Sequence, residues 1–230
     1  MLPADLRAAE AQALEALTVA LREGPKARWT VEWRFEGLRV LPVALRLCQA
    51  LQLQLGQAAG LRLLFPDAGA AALAQREAPD LAGCIGSLRD QKRLQSDGRT
   101  DGVLLAVCPS QAEYDDFDQI CGQHDGAVVA INPSLEDAAV GIGSVARERR
   151  RGFLSTWSSA YLLQPLDQAA LRHAHPDGWE LYRQDPDGYR FVTRFETRPD
   201  AESQAEALDQ AGGLGGNLRA LDQFIEGLRN

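Results

Sequence analysis

The sequence predicts an α/β protein of three layers, with a mostly parallel sheet flanked by helices and a C-terminal antiparallel hairpin extending the sheet edge. Three observations predict it. Apolar runs at residues 61–65, 103–107 and 127–131 each stop on a proline beside Asp, Ser or Asn (Pro66-Asp67, Pro109-Ser110, Asn132-Pro133) and then enter a helical pattern. Runs that are apolar throughout suit strands covered on both faces, and their alternation with helices calls for right-handed parallel crossovers. Residues 179–196 instead alternate around Asp185-Pro186-Asp187-Gly188, a hairpin signal. No linker separates the two patterns, so residues 1–230 are expected to form a single domain, with an α/β core to about 166 and a hairpin and helical tail over 167–230.

The elements follow in order. Residues 3–23 repeat Leu6, Ala9, Ala13, Leu14, Leu17 and Leu21 at helical spacing, with Pro3 suited to a first turn and Gly24-Pro25 as the stop. Residues 27–35 alternate, with Trp29, Val31, Trp33 and Phe35 on one face and Arg28, Thr30, Glu32 and Arg34 on the other. One polar face predicts an edge strand. A leucine-rich helix covers 37–55 with Pro42 in its first turn, and Gly56 and Gly60 close it. After strand 61–65, Asp67 is placed to cap a helix over 70–77 whose alanines allow close packing on the sheet. A short strand is expected within 82–88, and the polar stretch 89–102, ending in SDGRTDG, reads as a flexible loop.

Beyond strand 103–107, Ser110 and Glu113 have capping-box spacing ahead of a helix to Gln123. Asp115, Asp116 and Asp118 in its first turns complement the helix dipole. After strand 127–131, Ser134 or Asn132 can cap a helix from Leu135 to about Arg151. Residues 161–163 read as a strand ending at Pro165, and the tail as a helix from about Pro199, a GGLGG break at 212–216 and a last amphipathic helix.

Composition excludes several classes. A net charge of −8 argues against a nonspecific nucleic-acid binder. No run approaches the roughly 18 apolar residues of a membrane span. The N-terminal MLPADLRAAE begins directly with a helix pattern, which predicts an unexported chain. Cys48, Cys84, Cys108 and Cys121 are scattered without a CxxC pair; Cys48 in a helix and Cys108 in a strand read as small buried hydrophobes, not as a disulfide framework or a zinc site. No cofactor and no metal ion are expected. GxxxxGK[ST] and GxSxG are absent, and the GxGxxA letters at 141–146 lie ten residues past their strand, where they suit a helix contact. His124, His173 and His175 fall in loops or at helix ends, with the last two an exposed pair near a turn.

In an open parallel sheet, ligands bind beyond the carboxyl ends of the strands. The candidate ligand-binding residues there are Asp67, Gly69, Ser110, Asn132, Glu136 and Asp137, with Glu36 and Arg39 after the first strand. Each can equally be a helix cap or turn residue. A basic patch forms the second candidate: Arg147, Arg150 and Arg151 share a helix face, followed by Trp157 and Tyr161. It can complement the helix dipole or grip a phosphate, an acidic protein segment or an anionic membrane.

At FPDAGAAALA (65–74), NPSLEDAAVGIG (132–143) and RRGFLSTWSSAYLLQPL (150–166), with the LPADLRAAEAQA opening and the WELYR…YRFVTRF hairpin, the sequence resembles the DUF1995 domain family of cyanobacteria and chloroplasts. That resemblance implies a cyanobacterial cytoplasmic protein, peripheral at the thylakoid membrane, related to the low-photosystem-II-accumulation proteins that assist photosystem II assembly. Some members are fused to a chloroplast adenylate kinase. It carries over no catalytic residues. Two expectations follow: a non-enzymatic accessory factor that contacts photosynthetic membrane proteins or their assembly factors, or a small-ligand or nucleotide-binding protein with its site at the strand ends.

Overall fold

A computed structural model describes residues 1–135 and 151–211. Helix α1 (Leu6–Ala20) precedes β1 (Arg28–Trp33), α2 (Val40–Leu55), β2 (Arg62–Phe65), α3 (Ala68–Glu77), β3 (Ile85–Ser87) and α4 (Leu88–Ser96). There follow β4 (Val103–Val107), α5 (Tyr114–Gln123), β5 (Ala127–Ile131), β6 (Ser158–Leu166), β7 (Ala169–Ala174), β8 (Trp179–Asp185) and β9 (Gly188–Phe195). All nine strands form one sheet in the order β3-β2-β4-β5-β1-β6-β7-β8-β9. The six strands from β3 to β6 pair in parallel, and β7, β8 and β9 continue the sheet antiparallel. The predicted α/β architecture and the C-terminal extension of the sheet are therefore both present.

Strand alternation assigns the helices to two faces. Val31, Leu63, Leu105 and Val129 join the core cluster formed with α1, α2 and α3. Their neighbours Leu64, Leu104, Ala106, Val128 and Ala130 pack on the other face with Tyr114, Phe117 and Ile120 of α5 and with Phe153. At the amino ends the strands crowd closely: a Cβ on Gly126 would lie 1.7 Å from the carbonyl oxygen of Gly102. Only glycine permits that approach.

Several elements differ from expectation. The first strand is central, because β1 pairs with β5 on one side and β6 on the other. On its polar face Glu32 is buried, 5% exposed, while Arg28, Thr30 and Arg34 are half-buried. The first helix begins after Pro3, where Asp5 caps it through the Ala8 amide at 2.8 Å. Part of the expected loop at 89–102 is helix α4, set by a capping box between Ser87 and Asp90. Its inward face carries Gln91 and Gln95 where apolar residues would have announced a helix, and Gln95 Nε2 donates to the Ile120 carbonyl at 3.0 Å. Strand β7 was not foreseen. It holds His173, which is buried, with Nε2 2.9 Å from the Ser159 carbonyl and the ring stacked on Trp179 at 4.5 Å; burial lowers its pKa. His175 is also largely covered, and its Nε2 lies 2.7 Å from Glu23. Cys108 falls just past β4, in the left-handed region at φ 49°. The expected GxGxxA helix contact, the GGLGG break and the last helix lie outside the described residues.

The antiparallel half carries a buried charge network. Glu180 of β8 accepts from Arg172 of β7 at 2.7 Å, Tyr182 of β8 at 2.7 Å and Arg194 of β9 at 2.6 Å. Burial alone would raise its pKa, but these hydrogen bonds outweigh it and hold the carboxyl at about 2. A carboxyl depressed in the folded state adds stability above its unfolded pKa and loses it as pH falls through the folded value. Urea unfolding should therefore show stability declining from about pH 4.5 to about pH 2, the window set by Glu180. Glu180→Gln should flatten that decline, and Glu180→Ala should cost about 3 kcal/mol at neutral pH by leaving the buried Arg172 charge without a counter-charge.

Candidate functional site

The carboxyl rim of the parallel strands is largely engaged in holding itself together. Asp67 Oδ1 accepts from the Ala70 amide at 2.9 Å and caps α3. Gly69 lies in the first turn of α3, where a Cβ would approach Asp67 Oδ1 to 3.1 Å. Ser110 donates to Glu113 Oε2 at 2.6 Å and accepts from the Ala112 amide at 3.2 Å, completing a capping box. Asn132 adopts φ 46°, a region Asn tolerates better than most residues. Its Oδ1 accepts from the Trp33 amide at 2.7 Å and its Nδ2 donates to the Trp33 carbonyl at 2.9 Å. The carboxamide thereby adds one further rung between β5 and β1, beyond the last backbone pair at Val31 and Ile131. Glu136 and Asp137 lie outside the described residues.

A different polar site lies on the sheet face over β1. Thr30, Glu32 and Arg34 project from the strand and its end into a cleft of about 290 Å³. Arg34 Nη2 contacts Glu32 Oε2 at 2.6 Å and donates to the Pro133 carbonyl at 2.9 Å. Ser158 and Ser159 of β6 line one side, where the pairing of β1 with β6 shifts register at Thr30/Val31. Leu154 and Trp157 line the cleft as well, together with Trp179, over which the Arg198 guanidinium sits at 5.5 Å. The apolar packing on this face is divided by the polar stripe: one cluster lies over β2, β4 and β5, and a smaller one contains Leu162, Leu171 and Trp179. The cleft thus combines a paired carboxylate, guanidinium groups, hydroxyls and two indoles, a surface suited to a small polar ligand.

The second group of candidates is dispersed. Arg151 is exposed, while Trp157 is half-buried against Phe117 at 5.5 Å and Phe153 at 5.7 Å. Tyr161 is fully buried, facing Trp33 at 6.1 Å. Arg147 and Arg150 lie outside the described residues. Of these candidates, Trp157 belongs to the cleft. Asp116 forms an ion pair with Lys92 at 2.6 Å, and no group of three or more metal-ligating side chains is arranged for a metal among the described residues. Sequence reasoning missed the cleft although its signal was present. The alternation of Thr30, Glu32 and Arg34 on a strand is an edge signature when the strand is outermost and a site signature when it is central.

An apolar cavity of about 430 Å³ opens near the carboxyl ends of β1 and β6. Leu2, Pro3 and Leu6 line it with Phe35, Leu38 and Tyr189, the last from β9. Tyr189 and Phe191 are 47% and 50% exposed on that strand, which ends the sheet and has no strand on its outer side among the described residues.

These features define an α/β protein with a mixed sheet, a rim closed by its own caps, a polar cleft on one sheet face and an apolar cavity at one end. The family described as "Domain of unknown function (DUF1995)" matches residues 3–206, and the chain belongs to that family. No curated protein matches the sequence.

The rim geometry makes a stability prediction. Asp67→Ala and Ser110→Ala should each lower unfolding free energy by about 1 kcal/mol in urea titrations. Asn132→Gly, which keeps backbone freedom and removes only the clasp on Trp33, should cost about 2 kcal/mol. An unchanged midpoint in all three would mean that the rim side chains are not structural.

Proposed function

We propose that the protein is a non-enzymatic accessory factor for photosynthetic membrane complexes, of the photosystem II assembly kind, and that it holds an apolar segment of a partner protein. The observation that carries this reading is the apolar cavity bounded by Leu2, Leu6, Phe35 and Tyr189, continued by exposed Phe191 on the terminal strand. Apolar surface that adjoins an open strand edge can take an incoming extended segment, the edge supplying backbone hydrogen bonds and the cavity side-chain burial. The photosynthetic setting comes from the family resemblance, and a peripheral position at the thylakoid surface is part of the same proposal. Among the described residues, no helix is long and apolar enough to cross a membrane.

A second reading is favoured by the Glu32–Arg34 pair in the cleft over β1: a small polar ligand bound on the sheet face. One experiment separates the two. In affinity capture from detergent-solubilised thylakoid extracts, Tyr189→Asp with Phe191→Asp should reduce partner recovery roughly ten-fold or more without altering the melting temperature. Wild-type recovery by that double variant would contradict the docking reading. Loss of capture on Glu32→Gln alone would favour the cleft.

A further inference from the structure

Two cysteines far apart in sequence meet at the opposite edge of the sheet. Cys48 Sγ, on the inner face of α2, lies 4.0 Å from Cys84 Sγ, in the turn that leads into β3. Cys48 is fully buried. Cys84 forms part of the wall of a polar cavity of about 490 Å³ at the amino ends of β2, β3 and β4, which Arg62, Asp80, Arg99 and Asp101 also line. The arrangement is therefore asymmetric, with one cysteine half-buried in the cavity wall and its neighbour fully enclosed. Arg62 extends over Gly86, where a Cβ would come 3.1 Å from its Nη2, and its Nε is buried without a hydrogen-bond partner. Cys108 and Cys121 have no thiol neighbour of this kind among the described residues.

We propose that Cys48 and Cys84 form an oxidisable dithiol site, in which Cys84 is the nucleophile that meets hydrogen peroxide from the cavity and Cys48 is the thiol that resolves it. The charge distribution suits those roles. The hydrogen bond from Cys48 outweighs the effect of burial on Cys84, and with the help of the Arg62 charge lowers its pKa to about 7; the proton stays on Cys48, whose own pKa is raised. The Cys84 thiol also donates to the Leu81 carbonyl at 3.1 Å, a contact given up when the thiolate forms. Asp80, Asp101 and the nearby Asp90 carry the opposing negative charge, and Arg62 and Arg99 the positive.

In the first step, Cys84 thiolate attacks one peroxide oxygen, the O–O bond breaks and the hydroxide that leaves takes up a proton to become water. Sulfur is oxidised to sulfenic acid as peroxide is reduced. Cys48 then attacks Cys84 Sγ, forming the S–S bond as the S–O bond breaks, and its proton leaves with the departing hydroxide as a second water. Two thiols and one peroxide thus yield one disulfide and two waters. The bridge would join α2 to the strand-β3 edge across 36 positions of sequence.

The test treats the full chain with one equivalent of hydrogen peroxide and follows intact mass, peptide mapping and thermal unfolding. Wild-type protein should lose about 2 Da, yield a Cys48–Cys84 crosslinked peptide and leave Cys108 and Cys121 open to alkylation after unfolding. Its melting temperature should rise by roughly 5–10 °C, as expected when a crosslink constrains the unfolded chain. Cys48→Ser should stop at sulfenic acid, a gain of about 16 Da that dimedone captures, and Cys84→Ser should show neither product. Cys48→Ala serves as a second variant where burial of a serine hydroxyl prevents folding. A disulfide that engages another cysteine, or peroxide consumption unchanged in Cys84→Ser, would overturn the proposal.

Discussion

A strand in the middle of a parallel sheet is buried on both faces, and β1 meets that constraint with two unlike surfaces. Trp29, Val31 and Trp33 face the helices α1 and α2 as ordinary core. Glu32 faces the other way, and an unpaired carboxylate in that position would cost several kcal/mol. Arg34 supplies the counter-charge and secures itself on the Pro133 carbonyl, while the adjacent Asn132 clasps the backbone of Trp33. Glu32, Arg34, Asn132 and Pro133 therefore form one connected set that ties the end of β1 to the end of β5. A polar residue at the sheet centre is tolerated here because each charge and amide in the set has a partner.

The rest of the architecture follows from that arrangement. With β1 contributing no apolar side chain to one face, packing there separates into a cluster under α5 and a smaller one on β6, β7 and β8, with the cleft between. On the opposite face the core is continuous from α3 through α1 to β6. The antiparallel strands then balance their own buried charge around Glu180. Polar chemistry therefore gathers in three separate places, namely the cleft, the Glu180 network and the cavity beside Cys84. The apolar cavity at the carboxyl end is distinct from all three.

Much of this fold was legible in the sequence where residue pattern and local environment agree. The runs at β2, β4 and β5 are apolar because both faces are covered, Asp67 caps α3 as its position suggests, and Ser110 caps the short 3-10 turn Gln111–Glu113 that leads into α5. Legibility failed where a residue type carries different meanings in different surroundings. Alternation in β1 depends for its meaning on strand order, which no local pattern encodes. Gln91 and Gln95 conceal α4 because their polar side chains sit at buried, core-facing positions, Gln95 held there by its bond to the Ile120 carbonyl. His173 reads as a surface residue until its neighbours Ser159 and Trp179 are known. Of the rim candidates, Asp67, Ser110 and Asn132 lie just past strand ends, and their partners show them holding the backbone. The cleft required four strands, β1, β5, β6 and β8, and a residue as distant as Arg198 to become visible.

The central claim is that β1 is an interior strand whose far end is locked to β5 by side-chain chemistry. Native-state hydrogen exchange tests it most directly, since the Trp33 amide is bonded only to the Asn132 side chain while the Asn132 amide is bonded to the Val31 carbonyl. Both amides should exchange only through global unfolding, with protection matching that of Val129 in the neighbouring strand. Exchange at Trp33 that is orders of magnitude faster, with the low opening free energy of a frayed edge, would contradict the account.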